Sequence, residues 1–82
     1  MIVRVLLFGH YRDAAPESGE MTMDLPEGAT VADVAVNLAG RDARLVDLLT
    51  RTRVAVAADF ASPDTALRDG DEVAFLPPMS GG

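Results

Sequence analysis

The sequence lacks cysteine and tryptophan, and its aromatic rings are limited to Phe8, Tyr11, Phe60 and Phe75. Without cysteine the chain has no disulfide framework and no thiolate metal site, which fits a reducing compartment. With so few rings, the core has to be built mostly from Val, Leu and Met. Hydrophobic residues make up 49% of the 82 residues, which is enough for one small domain.

Basic residues are scarce as well. Lys and Arg together number 7 against 13 Asp and Glu, so the formal net charge is -6. Nucleic acid prefers a basic face, so this balance argues against it and favours protein partners with basic surfaces. The apolar run at the start of the chain extends only from Ile2 to Phe8. Such a short run predicts neither a signal peptide nor a membrane span. We therefore expect a cytoplasmic protein.

Alternating apolar residues predict strands at both ends of the chain. Ile2–Phe8 is β-branched and apolar on both faces, and residues 20–25 alternate with Met21, Met23 and Leu25 inward, as in a hairpin partner. Residues 54–58 and 72–76 indicate two later strands, with residues 66–68 a very short one. Residues 59–64 are expected to form a turn or loop.

One helix is predicted between these strands. Thr30 and Asp33 resemble a capping box, an apolar stripe follows at helical spacing, and Gly40 stands where a C-terminal cap belongs. Residues 41–53 suggest a short second helix, capped by Asp42. Strands grouped around one main helix favour an α+β domain, and the β-grasp (ubiquitin-like) fold accommodates this order in a mixed sheet.

Side chains that support catalysis are few. His10 is the only histidine and has no cysteine or second histidine as a partner, so a solvated loop position is favoured. Asp69, Asp71 and Glu72 cluster without the ligand spacing of a calcium loop, which favours a solvated turn and no metal site. No phosphate-binding glycine motif occurs. We expect that the chain binds no cofactor itself.

The last residues are arranged differently from the rest. Pro77 and Pro78 are stiff and extended, and Ser80, Gly81 and Gly82 follow Met79 with almost no side-chain bulk. From Leu76 such a tail reaches roughly 20 Å. A thin tail of this kind can enter a narrow channel, so we interpret residues 1–76 as the domain and residues 77–82 as an extended tail whose carboxylate is the reactive group. A frayed, inert terminus is the alternative.

The stretch from Asp69 to Gly82 strongly resembles the C-terminus of MoaD-type sulfur carriers, the small subunits of molybdopterin synthase in the MoaD/ThiS family. Val3–Gly9 with the following Tyr11-Arg12-Asp13 resembles that family's first strand and turn. The resemblance implies that the first and last strands lie parallel at the centre of the sheet. It also implies that Gly82 is adenylated and then thiocarboxylated, with Gly81 carried over as part of the tail.

Partners follow from the same resemblance. An E1-like adenylating enzyme would use ATP, a sulfur donor protein would supply persulfide sulfur, and the large synthase subunit would hold the catalytic pocket for cyclic pyranopterin monophosphate. Two sulfurs per product imply a heterotetramer with two carriers.

The family pattern also implies the docking residues. These are Phe8, Phe60 and Leu76, with Arg12 as a nearby polar contact and Pro77, Pro78, Met79 and Ser80 entering the partner. Phe8 and Leu76 could instead be covered by the chain itself.

Two departures from the family are visible, Ala57 where relatives often carry Asn and Leu76 where they often carry an aromatic residue. The first puts the local turn geometry in doubt and the second the shape of the docking surface. Two alternatives remain open: a sulfur carrier for thiazole or cysteine biosynthesis, and a non-catalytic ubiquitin-like interaction module with an inert terminus. Pro77, Pro78 and Ser80 favour a carrier for molybdopterin synthesis over carriers for thiazole or cysteine synthesis.

Overall fold

The hairpin predicted at the start of the chain is present in the computed structural model, which describes residues 1–14 and 19–76. Strand β1 spans Ile2–Leu7 and strand β2 spans Glu20–Asp24. They pair antiparallel with Val3 opposite Met23, and both of these side chains are buried. Period-two alternation therefore directs the apolar side chains to one face, which we call the inner face.

The last strand, β5, spans Glu72–Leu76 and lies between the first and the third. It runs parallel to β1, with Leu7 opposite Phe75, as the family resemblance implied. The hairpin of β1 and β2 lies on one side of it in the sheet, and two further strands lie on the other side. Val73 and Phe75 are fully buried on the inner face. A strand with neighbours on both sides has its backbone groups satisfied, so β5 is firmly anchored.

Helix α1 spans Val31–Arg41 and begins as predicted. The backbone N–H of Thr30 donates to the Asp33 carboxylate at 2.8 Å, which gives the capping-box contact. The prediction that Gly40 caps the C-terminus is wrong, because the helix continues through Arg41. The N–H of Asp42 then donates to the Leu38 carbonyl at 3.0 Å, so an extended Asp42 ends the helix instead of a left-handed glycine.

The predicted second helix is divided into two short pieces. A 3₁₀ helix spans Ala43–Leu45, and α2 spans Leu48–Arg51. Asp42 caps the first piece as predicted, since its carboxylate accepts the Arg44 N–H at 2.9 Å. Leu45 and Leu48 are buried, one from each piece. Their burial explains the apolar pattern that suggested a single helix.

Strand β3 spans Arg53–Val56 and β4 spans Asp59–Ala61, and the strand order across the sheet is β2-β1-β5-β3-β4. Two predicted boundaries are therefore wrong. The strand predicted to reach residue 58 ends at residue 56, and part of the predicted 59–64 loop is a strand. Ala57 and Ala58 form the two-residue turn between them with φ of 52° and 72°. The segment predicted as a very short strand contributes only an isolated bridge from Ala66 to Thr30. A turn without Asn or Gly gives no sequence signal for a hairpin.

The connector after β1 contains a 3₁₀ helix at Gly9–Ala14, which the sequence did not predict. Its ring, Tyr11, is 2% exposed, and the phenolic O–H donates to the Asp47 carboxylate at 3.3 Å. This contact joins the connector to the segment between the two short helices. Tyr11 is therefore a core residue with a satisfied polar end.

The core lies between α1 and the inner face of the sheet. Its largest fully buried side chains are Tyr11, Phe75, Leu7, Leu38, Leu45, Leu48, Val3, Val5, Val31, Val34 and Val73. The predicted α+β class, with a mixed sheet, one main helix and a short second helix, is confirmed. No helix in the described ranges has the length and apolar character needed to cross a membrane.

Candidate functional site: the outer sheet face at the end of strand β5

Strand β5 ends at Leu76, the last residue that the structure describes. Leu76 is half-buried and lies opposite Arg53, and it faces away from the inner side that buries Phe75. We call this end of the sheet the exit end, because the chain leaves β5 here. The predicted site residues of the tail, Pro77, Pro78, Met79, Ser80, Gly81 and Gly82, lie outside the described residues.

A row of apolar side chains crosses the outer face near the exit end. The register places Leu6 beside Ala74, Ala74 beside Ala55, and Ala55 beside Phe60. Phe60 is 70% exposed, while the other three are half-buried. Leu76 and Phe8 lie one step closer to the exit end. We call the six residues Leu6, Phe8, Ala55, Phe60, Ala74 and Leu76 the apolar patch.

The other part of the outer face is polar. The guanidinium of Arg4 lies 3.2 Å from the Glu20 carboxylate and 3.4 Å from the Glu72 carboxylate. Thr22 faces Arg4 across the strand pair and is exposed. We call Arg4, Glu20, Thr22 and Glu72 the polar patch. Ile2, at the far end of β1, is an isolated apolar exception, 46% exposed.

The structure brings the predicted docking residues of the domain to one region. Phe8 is 42% exposed and follows Leu7, whose strand neighbour Phe75 precedes Leu76, so Phe8 and Leu76 lie side by side at the exit end. Phe60 completes the patch on the other side. Phe8 and Phe60 are not covered by the described chain, whereas Leu76 is covered in part.

Arg12 lies at the rim of this patch. Together with Leu6, Phe8 and Gly19 it lines a cleft of about 290 Å³. Gly19 has a φ of +76°, and a Cβ on it would lie 3.1 Å from the Arg12 Nε. A residue other than glycine would therefore strain the backbone and press on the Arg12 side chain. Arg12 is thus near Phe8, as predicted.

Sequence reasoning missed one charged residue in this region. The guanidinium carbon of Arg53 lies 5.4 Å from the centre of the Phe60 ring. Both residues line a cleft of about 350 Å³ whose other walls include Leu49, Val54 and Pro63. Alternation along β3 already places Arg53 on the same face as Ala55. That signal was not usable before the boundary of β3 was known.

The acidic turn before β5 has a structural role. Asp69 accepts the backbone N–H of Ile2 at 2.7 Å, and Asp71 accepts that of Arg68 at 2.8 Å. The turn itself contains Gly70 at a φ of 86°. These bonds fix the start of β5 against β1. Over residues 1–14 and 19–76, no group of three or more potential metal-ligating side chains comes together.

One carboxylate of the described domain, that of Asp42, has a pKa shifted by hydrogen bonds. The side-chain hydrogen bond from Arg44, and then the bond from the Arg44 backbone N–H, hold the pKa of Asp42 below its usual range. Asp42 follows α1 and is not part of the apolar patch. The His10 side chain lies outside the described residues. The described residues at the exit end therefore present a largely apolar, exposed surface.

Comparison with known proteins agrees with this geometry. The sequence model of the ThiS family matches residues 5–82. The chain belongs to the ThiS family. As a family member it is 38% identical over 80 residues to the molybdopterin synthase sulfur carrier subunit of Mycobacterium tuberculosis (strain ATCC 25618 / H37Rv), with 98% of this chain and 96% of that protein covered.

Solved structures share the fold of this ThiS-family chain. A Pyrococcus furiosus protein described as molybdopterin converting factor, subunit 1, superposes with a TM-score of 0.83 at 30% identity, covering 96% of this chain and 99% of that one. A chain in the complex of subunits 1 and 2 of molybdopterin-converting factor from Helicobacter pylori 26695 gives 0.69 at 23% identity, with both chains fully covered. The second likeness shows the fold alone. The predicted β-grasp fold is confirmed.

Proposed function

We propose that this chain is the sulfur carrier subunit of a molybdopterin synthase and that Gly82 carries the sulfur as a C-terminal thiocarboxylate. The observation that carries the proposal is the exposed apolar patch at the exit end of β5, in a chain of the ThiS family. The name of the Mycobacterium tuberculosis relative supports the same role. The domain holds the tail, and its outer face docks on the protein that receives it.

The chemistry requires no side chain from the carrier. A free carboxylate is a poor electrophile, because its leaving group would be oxide. Adenylation of Gly82 by ATP gives an acyl adenylate whose leaving group is AMP. A persulfide sulfur then attacks the carbonyl carbon and displaces AMP, and a second thiol cleaves the acyl disulfide to release the thiocarboxylate. The ionised thiocarboxylate is the nucleophile that attacks an activated carbon of the substrate.

This scheme assigns the catalytic work to partners. An E1-like enzyme uses ATP to adenylate the tail, and a sulfur donor protein supplies the persulfide. The large synthase subunit then binds the tail and converts cyclic pyranopterin monophosphate, with two carriers in a heterotetramer. The carrier binds no cofactor and works in the cytoplasm. A tail tethered in the partner's channel reacts at high effective concentration, which replaces a catalytic pocket of its own.

Docking is proposed to use Phe8, Phe60 and Leu76, with Arg12 at the rim. A well-packed apolar contact of this kind supplies most of the binding energy in protein interfaces, and aromatic residues are the usual anchors. Pro77, Pro78, Met79 and Ser80 lead the two glycines into the partner.

Intact-mass analysis tests the proposal directly. Incubating the chain with an E1-like enzyme, ATP and a sulfur donor should add about 16 Da, because sulfur replaces one oxygen. Deleting Gly82, or adding one residue after it, should abolish the mass change and product formation while the thermal melt stays the same. A chain without Gly82 that still supports molybdopterin formation would overturn the mechanism.

The same assay separates the alternatives. If the chain gains mass but product forms only with a thiazole or cysteine synthesis system, the thiocarboxylate chemistry stands and the sulfur-accepting pathway is a different one. No mass gain with any activating enzyme would favour an interaction module whose terminus is inert.

A further inference from the structure

We propose that Arg53 is a specificity-determining residue of the docking surface, which binds a carboxylate side chain on the large subunit. The inference rests on the proposed function, since it names a contact of the same docking surface. It goes beyond the predicted contacts, which do not include Arg53.

The position of Arg53 places its charge beside the tail. Arg53 lies opposite Leu76 in the register of β3 and β5, at the exit end. It is exposed, and in the described part of the chain it forms no ion pair with any carboxylate. The basic residue of the polar patch, Arg4, is by contrast paired with two glutamates. Arg41 and Arg68 also form no ion pair with a described carboxylate, so the distinguishing feature of Arg53 is its position beside Leu76 and Phe60.

The contact with Phe60 prepares the guanidinium for a carboxylate. Its guanidinium carbon lies 5.4 Å from the ring centre, within the range of a cation–π interaction. A guanidinium held over a ring keeps its N–H donors at its edge, where a carboxylate can accept two of them in parallel. Phe60 thus restricts Arg53 and leaves its donors available to a partner.

The neighbouring cleft indicates what surrounds that carboxylate. It has a volume of about 350 Å³, and its walls include Leu49, Val54, Ala61 and Pro63 beside Arg53 and Phe60. An apolar side chain of the partner fits the walls, and the adjacent acidic side chain meets Arg53. The occupant is therefore a segment of the large subunit that offers an apolar residue next to Asp or Glu.

Selection arises because docking removes water from Arg53. An exposed guanidinium is well solvated, but a buried charge without a partner is strongly unfavourable. A surface with a carboxylate at this point restores the interaction, whereas a neutral or basic surface does not. Arg53 thus rejects wrong partners as well as binding the right one.

The test measures the dissociation constant of the full-length chain for the purified large subunit, at low and high salt. Arg53→Met keeps the apolar stem and should weaken binding about tenfold, and Arg53→Glu about a hundredfold. Arg53→Lys should fall between wild type and Arg53→Met, because the charge remains but the planar fork is lost. The salt dependence of binding should be smaller for Arg53→Met than for wild type.

Arg68→Met is the matched control. Arg68 is exposed and lies just before β5, at the end of the sheet away from the exit, so the net charge changes equally without touching the docking surface. It should alter binding by less than about twofold. In steady-state assays with thiocarboxylated carrier, Arg53→Met should raise the KM for the carrier and leave kcat unchanged, because the reacting tail is intact.

The outcomes are distinguishable. If Arg53→Met and Arg53→Glu bind and react as wild type does, the inference is wrong while the proposed function stands. If wild-type chain acquires no sulfur with any activating enzyme, the proposed function itself fails. A loss of binding in Arg68→Met equal to that in Arg53→Met would also overturn the inference, since the effect would then be general electrostatics.

Discussion

The apolar patch and the polar patch lie on the same face of the sheet, but one exposes apolar rings to water and the other exposes charged and polar groups. In the polar patch, Arg4 is balanced by Glu20 and Glu72, and its side chains are solvated or paired. In the apolar patch, Phe60 is 70% exposed and Phe8 is 42% exposed. The polar patch shows that this sheet can present a hydrophilic face. The exposed rings at the exit end are therefore a specific feature, and a contiguous apolar surface of this kind is typical of protein docking sites.

The apolar patch would not be a docking surface if its residues belonged to the core. Two neighbouring residues of β5 test this. Phe75→Ala removes a fully buried ring and should lower the free energy of unfolding by about 4 kcal/mol. Leu76→Ala removes a half-buried side chain from the outer face and should lower it by only about 1 kcal/mol. Denaturant unfolding of both variants is the measurement. Equal losses would mean that Leu76 is a core residue.

Truncating one side chain in each patch tests which of the two patches binds the large subunit. Phe60→Ala should weaken binding of the large subunit about 30-fold, because an aromatic anchor is lost. Thr22→Ala, in the polar patch, should change binding by less than about twofold. Calorimetric titration measures both, with thermal melts to verify folding. A stronger effect at Thr22 than at Phe60 would place docking on the polar patch.

The turn of the hairpin that carries Phe60 is strained. Relieving this strain should raise stability, whereas the substitutions in β5 lower it. Ala57 and Ala58 have φ of 52° and 72°, in the left-handed region that Asn and Gly adopt more easily. Replacing both, as Ala57→Asn with Ala58→Gly, should raise the free energy of unfolding by about 1 kcal/mol.

The control for this change is Ala32→Gly, at a helical position in α1, which should lower stability by about 1 kcal/mol. Thermal melts compare the two. If the hairpin variant melts lower than wild type, the turn is not strained. Binding to the large subunit should be unchanged, since Phe60 keeps its place.

The smallest expected effect lies outside both patches, at Asp42. Hydrogen bonds from Arg44 lower its pKa in the folded state, so its contribution to stability is present above the pKa of the unfolded chain and is lost as pH falls through the lower folded value. Asp42→Asn keeps an acceptor for the cap and removes the charge. The melting-temperature difference between wild type and Asp42→Asn should shrink below about pH 4. A difference that stays constant down to pH 2 would contradict this cause.

The strands and the main helix were predictable because their signals are local. Alternation placed Met23 and Leu25 inward, where both are buried, and Thr30 with Asp33 marked the helix start. Gly40 was misassigned because glycine is common after helices, yet an extended Asp42 ended this one. Strand β4 was missed because it has three residues and its turn lacks glycine.

The candidate site was predictable only in part. Phe8, Phe60 and Leu76 came from the family resemblance, and the register then brought them together. Arg53 could not be assigned, because its relation to Phe60 and Leu76 depends on pairing between strands that are distant in sequence. The cross-strand partners of a residue are set by the whole sheet, not by its neighbours in the chain.

The parallel pairing of β1 with β5 also has a consequence for how the protein is made. Among the strands of residues 1–14 and 19–76, the one that completes the centre of the sheet is the last to be synthesised, and its parallel partner is the first. Contacts between such distant segments form late and slowly. A nascent chain that stops before residue 72 has no central strand to hold the two sides of the sheet together. We therefore expect premature termination before β5 to yield an unfolded product instead of a folded domain that competes for partners.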